Sequence, residues 1–233
     1  MNYYAVTAML ARVYCWAGEY GNAYKEAKEV VDATYSTGST STASCFNFSN
    51  SLTTNRKDYN SIIMTFFKST CYEDYLPYMT KGNDVVLVVN TTNLFGDEAG
   101  ADDRNLDLFG DWDGGDIKYS FKYDIKEGTS GTDMIPAIRL SEMYYIMGEY
   151  FAYKDEFSKA GEMLDKVRYA RGISTTNLAS SIGSLEVFHT HLIKEMRREF
   201  VGEGQMFFQY KRLDQKPKDN VVFVFDKPNN EDI

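Results

Sequence analysis

The stretch from His191 to Arg212, HLIKEMRREFVGEGQMFFQYKR, sets Glu195, Glu199 and Glu203 four residues apart, with Arg197, Arg198 and Arg212 close by. Carboxyl groups on adjacent helical turns lie ~5–6 Å apart, within range of the acid and nucleophile of a retaining glycosidase. The other use for such carboxylates is architectural, as buried partners of guanidinium groups. The helix that carries them decides between the two. Ser184 is a good cap for a helix starting at Leu185, and Leu185, Phe188, Leu192, Met196 and Phe200 then form one apolar stripe. At about 100° per residue, Glu199 falls within that stripe, Glu195 at its edge and Arg198 beyond Glu195. A glycosidase needs its carboxylates flanking an open cleft, whereas this stripe faces a packed interior. A buried carboxylate is costly unless paired. Glu199 is therefore expected to have a partner among Arg139, Arg168, Arg171 and Arg212, since bidentate arginine suits such a site best. Gly202 and Gly204 end the helix, and QMFFQYKRL resumes a short one. The expected structural ion-pair cluster comprises Arg139, Glu142, Glu195, Arg198, Glu199, Glu203 and Arg212; no catalytic residue is assigned.

The elements that must position these groups fall into four regions. Residues 1–36 read as a helical hairpin turned at AGEYGNA. Residues 37–132 are irregular, with short strands at DVVLVV (Asp84 to Val89) and IKYSFKYDI (Ile117 to Ile125). Residues 133–216 return to helix from Met134 onward, and residues 217–233 are a tail with a short strand and a Pro/Asn turn. The two helical regions repeat each other. Leu10, Ala11, Tyr14, Tyr20, Ala23, Ala27 and Val30 recur, each displaced by 137 residues, as Met147, Gly148, Phe151, Phe157, Ala160, Leu164 and Val167. Small and large residues at these positions are those of a tetratricopeptide helix pair. The expected fold is mainly α: tetratricopeptide-like hairpins in one domain, split by a long irregular insertion carrying short β-strands.

Composition narrows the partners. A net charge of −9 argues against nucleic acid, because phosphate binding needs clustered Lys and Arg. Aromatic residues make up 15 % of the chain, with eighteen Tyr, which suits either a helical core or a surface that stacks on sugars. Cys15 reads as a core residue, and Cys45 and Cys71 are left open as a pair. No stretch approaches the ~20 apolar residues of a membrane helix. The chain opens within a helical pattern, without a cap or a leader peptide, and so reads as a fragment of something longer. His189 and His191 lack metal-ligand spacing and read as a surface pair. DWDGGD resembles the start of an EF-hand loop, but Lys122 stands where the bidentate Glu is required. No metal or cofactor is expected.

With these motifs in place, the chain resembles the SusD/RagB family of surface glycan-binding lipoproteins of Bacteroidota. The resemblance rests on Pro136, Arg139 and Glu142 on one expected helix; on Asp165, Arg168, Arg171 and Gly172 at a helix end; and on Glu195, Arg198, Glu199, Glu203 and Gly204. ADDRN (Ala101 to Asn105), IKY (Ile117 to Tyr119) and the closing FVFDKPNNEDI agree. Met206 and Gln209 depart from the family's usual Arg and Asp. The resemblance implies binding without catalysis, at the outer-membrane surface, beside a SusC-like TonB-dependent transporter. It implies an oligosaccharide or other nutrient as ligand, and a membrane link only through a lipid anchor outside this chain. The chain corresponds to the C-terminal part of a member.

Loops on a rigid scaffold are where a ligand is sought. CYEDYLPYM spaces Tyr72, Tyr75 and Tyr78 three apart, so that one helix would project them to one side, and FGDWDGGD sets Trp112 between Asp111 and Asp113. An aromatic face stacked on a sugar, with carboxylates accepting from its hydroxyls, is the chemistry expected there; core packing is the alternative for the tyrosines. Two other functions stay open: a tetratricopeptide protein-interaction module and a glycoside hydrolase.

Overall fold

The computed structural model describes residues 2–37, 41–79, 88–111, 117–120, 122–123 and 134–213. The first hairpin is helix α1 (Tyr3–Trp16) and helix α2 (Tyr20–Val31). α1 does have a cap: the Asn2 side chain accepts from the Ala5 N–H at 2.8 Å, satisfying one of the orphan amides of the first turn. Strands β1 (Thr34–Ser36) and β2 (Thr42–Ser44) pair antiparallel immediately after it.

The described part of the insertion holds more regular structure than its polar composition suggested. It contributes β3 (Ile62–Phe67), α3 (Cys71–Met79), β4 (Val88–Asn90), α4 (Thr91–Phe95), α5 (Asp103–Asp107), β5 (Phe109–Asp111) and β6 (Ile117–Ser120). β6 lies between β4 and β5 in an antiparallel sheet. Of the two strands expected in this region, the observed ones overlap only in part: Asp84 to Leu87, Phe121, Asp124 and Ile125 lie outside the described residues, as does the expected tail strand.

Met134 does not begin a helix. Strand β7 (Met134–Arg139) pairs antiparallel with β3, setting Pro136 opposite Thr65, and helix α6 (Leu140–Ala152) starts only after Arg139. The reason is local: proline biases its predecessor toward extended backbone, and a two-stranded ladder tolerates its missing donor. Helices α7 (Phe157–Ala170), α8 (Leu185–Glu199) and α9 (Met206–Arg212) complete the order.

α2 packs on α6, α6 on α7 and α7 on α8. The 137-residue displacement extends to the turns. Gly18 and Asp155 both adopt left-handed backbone, at φ 76° and 58°, and the residues that follow, Glu19 and Glu156, share φ/ψ near −85°/59° and −88°/58°. Gly148 is needed for close approach: a Cβ there would stand 3.1 Å from the Phe188 ring. The repeat breaks at Leu10, which is exposed, whereas its counterpart Met147 is buried.

Three apolar clusters hold these layers. One joins Tyr145, Leu164, Phe188, Leu192, Met196 and Phe200 across α6, α7 and α8. Another joins Ala8, Ala11, Ala23, Ala27 and Val30 to Ile138, Ile146 and Met147. The third places Leu52, Val89, Leu94, Phe95, Leu108 and Phe109 of the insertion against Val201, just beyond α8. The insertion therefore has a core of its own seated on the end of the helix that carries the glutamates.

Candidate functional site

α8 presents Glu195 and Glu199 inward because its apolar stripe is covered by α6 and α7. Glu199 Oε1 accepts from Arg171 Nη2 at 2.5 Å, and its Oε2 from Arg171 Nε at 3.1 Å and Arg104 Nη1 at 3.3 Å. Arg171, at the end of α7, also donates to Asp58 Oδ2 at 2.7 Å. Asp58 is buried with left-handed backbone at φ 51°, and its other oxygen accepts from the Ser49 N–H. Arg104 on α5 donates to Asp102 through Nε and Nη2 at 2.9 and 2.8 Å, and to Glu195 Oε2 at 2.9 Å. Arg198 donates to Glu195 at 3.0 Å and to Glu98 at 2.6 Å, and also holds the Leu94 and Phe95 carbonyls. Arg168 joins Glu98 to Asp165.

The remaining residues of the expected cluster stand apart from this network. Glu203 accepts from Arg139 Nε at 2.7 Å and Lys122 Nζ at 2.6 Å; Lys122 connects it to α8 by donating to the Glu199 carbonyl. Arg212 does not reach Glu199. It grips Glu149 of α6 with two bonds at 2.6 and 2.7 Å and also holds Gln209. Glu142 pairs with Arg12 of α1. Of the four arginines named as candidates for Glu199, only Arg171 touches it. Arg104 was missed as a partner, although ADDRN carries a signal: an aspartate two residues before an arginine at a helix start is placed to receive it.

Burial works against ionisation of Glu199, but Arg171, Arg104 and Lys122 overcome it and hold the carboxyl well below the usual range. Glu98 is likewise opposed by burial, yet Arg198 and Arg168 bring it from 4.5 down to about 2. Lys122 is displaced downward, because burial of its ammonium outweighs Glu203. The cavity beside Glu199, bordered by Arg104, Lys122, Arg139 and Arg171, measures about 10 Å³.

The expected ligand residues lie on the insertion. On α3, Tyr75 stacks face to face on Tyr123 at 4.5 Å, which commits that face to packing. Tyr78 is exposed and Tyr72 half-buried, so the three do not form one platform. Asp111 ends β5 with its side chain open to solvent and Lys118 at 3.5 Å. Trp112 and Asp113 lie outside the described residues. Tyr119, which closes the IKY motif, covers Gly110, where a Cβ would stand 2.7 Å from its ring. An open cleft of about 550 Å³ runs between the turn ends of the two hairpins, lined by Glu19, Tyr20, Asn22, Tyr150, Tyr153 and Lys154. Its residues are about 130 apart in sequence, and nothing local marks them.

His189 is buried against Tyr153 and Phe188 instead of forming a surface pair with His191, because α8 turns it toward the C-terminal end of α6. None of the three cysteines forms a disulfide, and Cys45 and Cys71 do not pair. Among the described residues, no helix is long and apolar enough to cross a membrane, and no group of three His, Cys, Asp or Glu is placed to hold a metal.

A family model described as the SusD family matches residues 11–230. Among solved structures, a SusD superfamily protein from Bacteroides thetaiotaomicron is 25 % identical, with a TM-score of 0.67 over 91 % of this chain and 50 % of its own. A SusD-like carbohydrate binding protein from Bacteroides vulgatus is 20 % identical, with a TM-score of 0.63 over 92 % of this chain and 46 % of its own. A SusD superfamily protein from Bacteroides fragilis is 16 % identical, with a TM-score of 0.63 over 93 % and 50 %. The chain spans about half the length of these solved relatives. No curated protein sequence matches it.

Proposed function

Because the chain belongs to the SusD family, we propose that it forms part of a cell-surface carbohydrate-binding component of a nutrient-uptake system, and that it binds without catalysing. The ligand is an oligosaccharide or a chemically similar nutrient. The partner is a SusC-like TonB-dependent transporter in the outer membrane, and the membrane link is a lipid anchor outside this chain. The ligand class is supported by the carbohydrate binding named for the Bacteroides vulgatus relative.

One observation carries the non-catalytic part: Glu195 and Glu199 of α8 are engaged by arginines, with side chains 1 % and 3 % exposed. A glycoside hydrolase keeps one carboxyl protonated and both open to the sugar. Here Glu199 is held ionised, beside a cavity of about 10 Å³, against the ~300–1,000 Å³ of ordinary ligand sites. Glu195, Glu199 and Glu203 are thus structural.

Recognition falls to the insertion, with Asp111 and its sequence neighbours Trp112 and Asp113, and with Tyr72 and Tyr78 on α3 beside the packed Tyr75. Affinity electrophoresis through gels carrying different glycans tests this, using the wild type, Trp112→Ala, Tyr78→Ala and, as a comparator in the hairpin cleft, Tyr150→Ala. Retardation by one glycan, lost in Trp112→Ala or Tyr78→Ala and kept in Tyr150→Ala, is expected. Loss in Tyr150→Ala alone moves the site to the cleft. Sugar release by the wild type that disappears in a folded Glu199→Gln variant overturns the non-catalytic reading.

A further inference from the structure

The insertion carries most of the chain's surplus of negative charge. Residues 37–132 hold fourteen Asp and Glu against eight Lys and Arg, within a net charge of −9. The excess is concentrated beside the recognition surface: residues 97–116 hold eight carboxylates and one cation, Arg104.

Six of the insertion's eight cations lie among the described residues, and each is already engaged. Arg104 is buried and bridges Asp102 and Glu195. Lys122 is buried and holds Glu203 and the Glu199 carbonyl. Lys57 is buried, donates to the Met134 carbonyl and lies over the Tyr123 ring. Arg56, half-buried at the rim of the cavity beside Glu199, is not free either. Lys68 and Lys118 reach solvent, but Lys68 pairs with Asp74 at 2.5 Å and Lys118 with Asp111 at 3.5 Å. Lys194 of α8, which reaches across to the insertion, is held by Glu98 at 3.6 Å.

The acids show the reverse pattern. Glu73 on α3, Asp97 and Asp111 are exposed, and Asp103 and Asp107 on α5 are half-buried. Among the described residues, only Asp111 of these five has a cation in ion-pair reach. The acids of α5 already work against one another: burial first, then Asp107 and Asp102, push the Asp103 carboxyl above its usual range.

Resting on the carbohydrate reading above, we propose that the insertion selects uncharged oligosaccharides and excludes chains that bear uronate, sulfate or phosphate groups. Sugar hydroxyls donate to the exposed carboxylate oxygens, so a neutral chain meets acceptors it can use. An anionic sugar needs cationic donors. To gain one here it must displace Asp111 or Asp74 while standing beside further carboxylates. Like charges brought together discriminate against the wrong ligand, and they act over the ~10 Å screening length of 0.1 M salt.

The test holds the sugar backbone constant and varies its charge. Binding is measured to immobilised dextran and dextran sulfate, to fully methyl-esterified pectin and polygalacturonate, and to hydroxyethyl- and carboxymethylcellulose. Each is run at about 20 and about 500 mM NaCl, with the wild type and with the double variant Glu73→Lys/Asp107→Lys. At low salt, the neutral member of a bound pair is expected to bind at least ~10-fold more tightly than its acidic counterpart. That ratio shrinks at high salt. The double variant lowers it at least ~3-fold at low salt and leaves binding of the neutral member unchanged. Equal or tighter binding of the acidic members at low salt overturns the proposal and leaves the carbohydrate reading standing. A ratio indifferent to both salt and the double variant assigns the discrimination to shape and overturns the proposal too. Binding to no member of any pair overturns the carbohydrate reading, and this proposal with it.

Discussion

Replacing Glu199 by glutamine keeps shape and removes charge, so it isolates what the carboxylate does. Three donor contacts converge on it, two from Arg171 and one from Arg104. Removing one partner of a buried ion pair typically costs about 3–5 kcal/mol, because the other charge is left uncompensated. Here the loss is softened: Arg171 keeps Asp58, and Arg104 keeps Asp102 and Glu195. The lower end, about 3 kcal/mol, is therefore expected for Glu199→Gln. For a chain of this length each kcal/mol moves Tm by about 2–4 °C, so the variant should melt about 6–12 °C below the wild type. Urea unfolding followed by circular dichroism measures the difference, with the midpoint falling at constant slope. The exposed pair Lys28–Asp32 supplies the scale for a surface interaction: Lys28→Ala should change stability by less than about 1 kcal/mol. A Glu199→Gln loss no larger than that of Lys28→Ala would refute the assignment of Glu199 to a buried, paired role.

Arg12→Met leaves Glu142, 2 % exposed, without its guanidinium, and a stability loss of about 3 kcal/mol is expected by the same reasoning; thermal melts report it. Gly161→Ala brings a Cβ within 2.6 Å of the Ala179 backbone, which cannot yield as a side-chain tip can, so a loss near about 3 kcal/mol is expected in urea titrations. Stability should also fall with acid. The folded Glu98 carboxyl, at about 2 against an ordinary 4.5, contributes above pH 4.5, and that contribution is lost progressively as pH drops toward 2. Glu199 is displaced in the same direction. Chemical denaturation at a series of pH values from 6 to 2.5 checks the slope, and Glu98→Gln should flatten it.

The hairpins were legible because their information is periodic: seven positions recur at a fixed displacement, and the turns at Gly18 and Asp155 follow. The inward orientation of Glu195 and Glu199 was legible for the same reason, since helical angle alone puts them on the stripe. Their partners were not, because Arg104 and Asp58 come from a segment whose local pattern is irregular and whose contacts with α8 and α7 bridge 95 and 113 residues. β7 was misread because MIPAIR is too short to show a period and adjoins a strong helix. What decides it is its ladder partner β3, about 70 residues earlier. Tyr75 shows the limit of spacing: three-residue intervals gave a plausible platform, and only Tyr123 reveals that its face is occupied.

The charge network also bears on how far the molecule can be simplified. Asp58, Asp102 and Arg104 belong to the insertion, while Arg171, Glu195 and Glu199 belong to the second helical region. Splicing the hairpins directly together would remove Asp58 and Arg104 and leave Arg171, Glu195 and Glu199 each short of a buried partner. The polar segment between them is thus a keystone, and a minimal scaffold engineered from this chain must either retain it or replace both halves of every pair with hydrocarbon.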